Sequence, residues 1–155
     1  MFDIAIQNNL QSGQHYVPSE EKFLLWSGAV LGPVMEQAEL TLRITDESEM
    51  ITLNKTYRNK DSVTNVLSFP MDIPEEFDLP LLGDIVICAA VVNQQAIEQN
   101  KSEDAHWAHM VIHGILHLLG YDHINDDEAD EMESKEIELL KQLGYSNPYS
   151  IMDNK

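Results

Sequence analysis

Three histidines occupy the run His113-Gly114-Ile115-Leu116-His117-Leu118-Leu119-Gly120-Tyr121-Asp122-His123, with the spacing H-x₃-H-x₅-H. Residues four apart on a helix lie one turn apart on the same side, so His113 and His117 are neighbours if this stretch is helical. Gly120 then lets the chain leave the helix, because glycine accepts the left-handed C-terminal turn. That turn can swing His123 back toward the other two. Three neutral imidazoles converging on one point suit a borderline divalent ion such as Zn²⁺, one per chain, with a fourth position open. Ni²⁺ is also well served by imidazole ligands.

The element that must present these rings is predicted as a helix from about Asp104 to Leu119. At roughly 100° per residue, Ala108, Val111, Ile112, Ile115 and Leu119 form one stripe, and His106, His109, His113 and His117 the opposite one. The expectation is an apolar back against the core and a histidine front facing a cleft. His109 is also four residues from His113, so the two form a competing pair. The His113/His117 pair is preferred because only it is followed by the glycine turn and a third histidine. His106 and His109 are then expected to support the ligands, face substrate or be solvated.

The histidine spacing is similar to the metzincin protease pattern H-E-x-x-H-x-x-G-x-x-H. Where those proteases carry a general-base glutamate, this chain has Gly114. Peptide hydrolysis at such a site wants a carboxylate to relay the proton, so the difference counts against a protease. A structural metal is a further alternative. It is usually closed by a fourth protein ligand, which His109 or Asp122 would have to supply.

A chain of 155 residues with 43% hydrophobic content makes one domain with a real core. The start Met1-Phe2-Asp3 has none of the basic and apolar pattern of a signal peptide. The longest apolar helical stretch is interrupted by histidines and too short for a bilayer. A lone cysteine, Cys88, excludes an internal disulfide framework. The expectation is a soluble cytoplasmic protein without a membrane partner. The net charge of −18 argues against a broad, nonspecific grip on nucleic acid while leaving room for a local basic site.

Along the chain, Phe2–Asn8 and Glu39–Thr45 alternate like half-buried strands. Ser19 caps a helix that ends near Gly32-Pro33, and Asp46 with Glu49 resembles a capping box opening a helix from Glu47 to about Tyr57. Lys55, Arg58 and Lys60 gather at that helix end, either to complement its dipole or to bind an anion. Strands are expected at Val63–Phe69 and Ile85–Cys88, separated by an irregular proline- and acid-rich loop over 70–81. A helix from about Ala90 to Gln99 follows. After His123 a last helix runs from Asp126 to about Leu143, with the stripe Ala129, Met132, Ile137, Leu140 and Leu143. Its later acids are read as a solvated face, and residues 146–155 as a tail that frays. The pattern predicts α+β architecture, a single domain over 1–155 with about four strands and five helices.

Three segments carry a closer resemblance: Tyr57-Arg58 with Asp61 and Thr64-Asn65-Val66-Leu67-Ser68-Phe69-Pro70, then Leu82-Gly83-Asp84-Ile85, then His113 to His123. Together they resemble the YbeY family of metal-dependent, single-strand-specific bacterial endoribonucleases of ribosomal RNA maturation and ribosome quality control. The resemblance implies that His113, His117 and His123 bind zinc and that Arg58 is the active-site arginine. It also implies a mixed four-stranded sheet with a central metal-bearing helix, and single-stranded RNA, ribosomal RNA and the ribosome as partners rather than DNA. Family members often carry Asp where this chain has Asn65.

Chemically, a divalent ion on three histidines polarises a phosphoryl oxygen and activates water, and an arginine meets developing phosphate charge with paired donors. Metal-activated water and the RNA's own 2′-hydroxyl both stay open as nucleophile. The rival readings are a metzincin-like metalloprotease and a non-catalytic ribosome assembly factor with a structural metal.

Overall fold

The computed structural model describes residues 2–10, 15–60, 62–71, 80–122 and 125–149. Among them are four strands and five helices: β1 (Phe2–Asn8), α1 (Glu20–Leu31), β2 (Ala38–Thr45), α2 (Glu47–Arg58), β3 (Val66–Pro70), β4 (Leu81–Cys88), α3 (Ala89–Glu98), α4 (Glu103–Leu118) and α5 (Asp126–Gln142). The sheet order is β1-β2-β4-β3, with β1, β2 and β4 parallel and β3 antiparallel to β4. The pattern predicts α+β architecture with about four strands and five helices, the resemblance implies a mixed four-stranded sheet, and the fold has both.

Strand periodicity divides the core in two. Leu40, Leu42, Ile44, Ile85 and Ile87 face the larger core with α1 and α4, whereas Leu67, Val86 and Cys88 join Met50 of α2 on the other face. Trp26 and Phe23 of α1 meet Trp107 of α4 within this larger core, Phe23 packing edge-on to Trp107 at 5.9 Å.

Caps behave locally as read. Ser19 accepts from the Lys22 N–H and Asp46 from the Glu49 N–H at 2.8 Å. Glu49 does not close the box on Asp46; its carboxylate instead takes the Thr45 hydroxyl and the Arg43 guanidinium. The strand expected at Val63–Phe69 begins only at Val66, because Asn65 turns its side-chain oxygen onto the Val66 N–H at 2.7 Å. Pro70 closes β3, which it can do because β3 is an edge strand. The next strand starts earlier than expected, at Leu81, because Gly83 and Asp84 pair with β2 and β3 on both sides.

Helix α4 sits at the centre and ends in a Schellman turn. The Gly120 N–H bonds the His117 carbonyl and the Tyr121 N–H that of Leu116, both at 3.0 Å, with Gly120 at φ +106°. The predicted glycine exit is thus formed. No helix of the described residues is long and apolar enough to cross a membrane.

Candidate active site

A cleft of about 550 Å³ opens between β3, the C-terminal half of α4 and the turn after it. His113, His117, Gly120 and Asp122 line one side, and Arg58, Asn65, Ser68 and Pro70 belong to the same lining. The rings of His113 and His117 lie 4.7 Å apart, centroid to centroid, as the i, i+4 spacing requires. His123, the expected third ligand, and Asp61 of the arginine segment lie outside the described residues. Among the described residues no three His, Cys, Asp or Glu side chains are grouped to hold a metal ion.

The four-histidine front is corrected by the fold. His106 and His109 are buried at 2% and 6% exposure, and α4 is covered almost all round. Of the four, His113 and His117 line the cleft and His106 and His109 do not. The reason is that α3 and α5 bring polar groups to the other two rings. His106 Nε2 donates to Gln95 Oε1 at 2.8 Å, while Lys101 approaches its Nδ1 at 3.5 Å. Burial first, then the Lys101 charge and His109, lower the His106 pKa to about 3, so it is neutral. Gln95 Oε1 also accepts from Asn65 Nδ2 at 3.1 Å, a bond that Asp at position 65 could not donate.

A second correction concerns α5. Glu136, assigned from the sequence to a solvated acidic face, is completely buried. Its Oε2 accepts from His113 Nδ1 at 2.5 Å, and its Oε1 from His109 Nε2 at 2.9 Å and from the Tyr149 hydroxyl. Burial alone would raise its pKa, but the bonds from His109 and His113 outweigh that and hold it at about 2. The signal was present in the sequence: Met132, Glu136 and Leu140 are four apart, so the carboxylate sits inside the apolar stripe. Tyr149 lies in the stretch expected to fray, yet its hydroxyl joins this buried group. His109, committed to Glu136, is no candidate for a fourth ligand at the cleft, whereas Asp122 lines it.

Gly114 faces the sheet. A Cβ built there would meet Ile85 Cγ2 at 2.8 Å, so a glutamate at this position would be driven into β4. The Ser68 hydroxyl donates to the Gly114 carbonyl at 3.2 Å, fastening β3 to the same turn.

Arg58 reaches the cleft from the helix on the far side of the sheet. Its Nη2 donates to the Ser68 carbonyl at 2.8 Å, its Nη1 more weakly to its own helix at Tyr57 O, 3.4 Å, and its guanidinium lies 5.3 Å from the Phe69 ring centre. Of the basic cluster, Lys55 and Lys60 do not line the cleft. The group is therefore held by β3 as well as by its own helix end.

Fold and site define an α+β domain whose cleft sets a histidine pair beside an arginine. The sequence profile described as Endoribonuclease YbeY matches residues 9–144, and the chain belongs to that family. Membership supports an endoribonuclease of ribosomal RNA maturation, with RNA as substrate. The chain is also similar to TM1509 from Thermotoga maritima, a structure solved in solution. The two are 28% identical over 90% of this chain and 88% of that one, with a TM-score of 0.64.

Proposed function

We propose that this chain is a metal-dependent, single-strand-specific endoribonuclease of ribosomal RNA maturation and ribosome quality control, acting on the ribosome in the cytoplasm and not on DNA. Residues 1–155 form one hydrolase domain, and His113, His117 and His123 hold one divalent ion, Zn²⁺ or alternatively Ni²⁺. The observation that carries this reading is the shared cleft of His113, His117 and Arg58. The donor set fits such an ion: two imidazoles stand one turn apart on its wall, and Gly120, three residues before His123 in the sequence, ends their helix in a left-handed turn.

The ion would supply Lewis-acid polarisation of a phosphoryl oxygen and activation of a nucleophile. The chain's own residues do the rest. Arg58 spends two of its N–H groups on the Ser68 and Tyr57 carbonyls, which fixes its plane. A guanidinium has five such donors, so others remain for a phosphate. Among the described residues the lining offers a phosphate one arginine and no lysine, which suits a single phosphodiester held locally rather than a long duplex tracked by charge. A protease reading is not favoured, because position 114 is a glycine that supplies no carboxylate, and a side chain there would press on Ile85.

The test is cleavage of single-stranded RNA, double-stranded RNA, single-stranded DNA and casein by purified protein, before and after chelation and with zinc restored. Chelator-sensitive, zinc-restored cleavage of single-stranded RNA alone is the expected result. Cleavage of casein, or RNA cleavage indifferent to chelation, would overturn the proposal. Product ends identify the nucleophile: a 2′,3′-cyclic phosphate reports the 2′-hydroxyl, and direct hydrolysis leaves none.

A further inference from the structure

We infer that Glu136 is a positioning residue for His113, a buried carboxylate that decides which ring nitrogen carries the proton and which is offered to a divalent ion. The inference rests on the reading of His113 as a metal ligand.

Glu136 Oε2 lies 2.5 Å from His113 Nδ1. An ionised carboxylate only accepts, so the proton of a neutral His113 ring belongs on Nδ1. Its lone pair is then on Nε2, the nitrogen a metal would use. Second carboxylates of this kind fix the ring's orientation and raise its basicity. Glu136 is itself immobilised, because Oε1 is occupied by His109 Nε2 and by the Tyr149 hydroxyl. The carboxylate thus ties three donors from α4 and the C-terminal segment to one point of α5.

Glu136 is fully buried, with both oxygens engaged, so it does not touch substrate and is no general base. The bland alternative is that it only fastens α5 to α4. In that case the choice of tautomer is incidental, and any isosteric group that keeps the helices docked should preserve metal binding.

Glu136→Gln separates the two. The amide presents one acceptor and one donor, so either His109 or His113 loses its acceptor while the packing volume is kept. Zn²⁺ titration calorimetry is run on the wild type, Glu136→Gln and His113→Ala, with circular dichroism as the check on folding. The tautomer of His113 in the metal-free wild type is read from two-bond ¹⁵N–¹H couplings, assigned against His113→Ala. The expected results are a Zn²⁺ affinity about 10–100-fold weaker in folded Glu136→Gln and an Nδ1–H ring in the wild type. Wild-type affinity in folded Glu136→Gln overturns the inference while leaving the metal reading intact, provided His113→Ala has lost binding. An Nε2–H ring in the wild type overturns it even if the Glu136 variant fails to fold. A wild type that takes up no stoichiometric Zn²⁺ overturns both readings.

Discussion

Gly114 and Ile85 are in contact so close that any side chain at 114 would force a shift: a Cβ on Gly114 would stand 2.8 Å from Ile85 Cγ2 and 3.1 Å from its Cδ1. Helix α4 therefore approaches β4 through a glycine in its own interior, where glycine costs roughly 1 kcal/mol of helix propensity. The close approach seats His113 and His117 at the cleft while their helix stays in the core. Gly114→Ala is expected to destabilise the protein by about 1–3 kcal/mol through overpacking, despite the propensity gained. In an Ile85→Ala background the same change should cost less, a coupling that chemical denaturation of the double-mutant cycle would measure. Equal cost in both backgrounds would show that the contact is not the constraint.

Arg58 is expected to be needed for turnover and not for metal or fold. Arg58→Ala and Arg58→Lys should each lower the single-turnover rate of RNA cleavage on the order of 10²-fold or more, because a point charge cannot copy the planar fork. Stability should fall by no more than about 1 kcal/mol, the scale of an exposed cation at a helix end. Zinc content should match the wild type. Undiminished cleavage by Arg58→Lys would reduce the residue to a tie between α2 and β3.

Metal binding should appear as thermal stabilisation. An ion that binds only the native state raises stability by RT ln(1 + [L]/Kd), about 2.7 kcal/mol at a hundredfold excess over Kd. Added Zn²⁺ should raise the melting temperature of the wild type and leave His113→Ala, His117→Ala and His123→Ala unmoved. A chelator should return the wild type to the level of the variants. A shift that survives in the triple variant would place the ion elsewhere.

His106 should make the protein acid-sensitive well above the carboxylate range. Its folded pKa is depressed from 6.5 to about 3, mainly by burial. Above pH 6.5 both folded and unfolded chains hold it neutral, and nothing is lost. As the pH falls below 6.5 the unfolded chain takes a proton that the folded one refuses, so stability drops toward the folded pKa. One such group contributes a slope approaching 1.4 kcal/mol per pH unit, or about 2 kcal/mol between pH 6.5 and 5. His106→Gln keeps a donor for Gln95 and should flatten that part of the stability curve. Parallel curves for the two proteins would contradict the assignment.

What could be read directly from the residues was local. Ser19, Asp46 and Gly120 mark helix ends because capping uses neighbours two to six residues away. His113 and His117 share a face because the helical period puts them one turn apart. Strand alternation in Phe2–Asn8 and Glu39–Thr45 similarly requires only the next residue but one. What the tertiary structure decided was which faces other elements would cover. His106 and His109 belong to the same histidine stripe as His113 and His117, and nothing in α4 separates the pairs. They are buried because α3 brings Gln95 and α5 brings Glu136 over them. Glu136 itself reads as one acid among many until packing turns its stripe inward. Arg58 joins His113 across a sheet edge only because β3 reverses against β4, and that pairing depends on chain closure over tens of residues rather than on any local period.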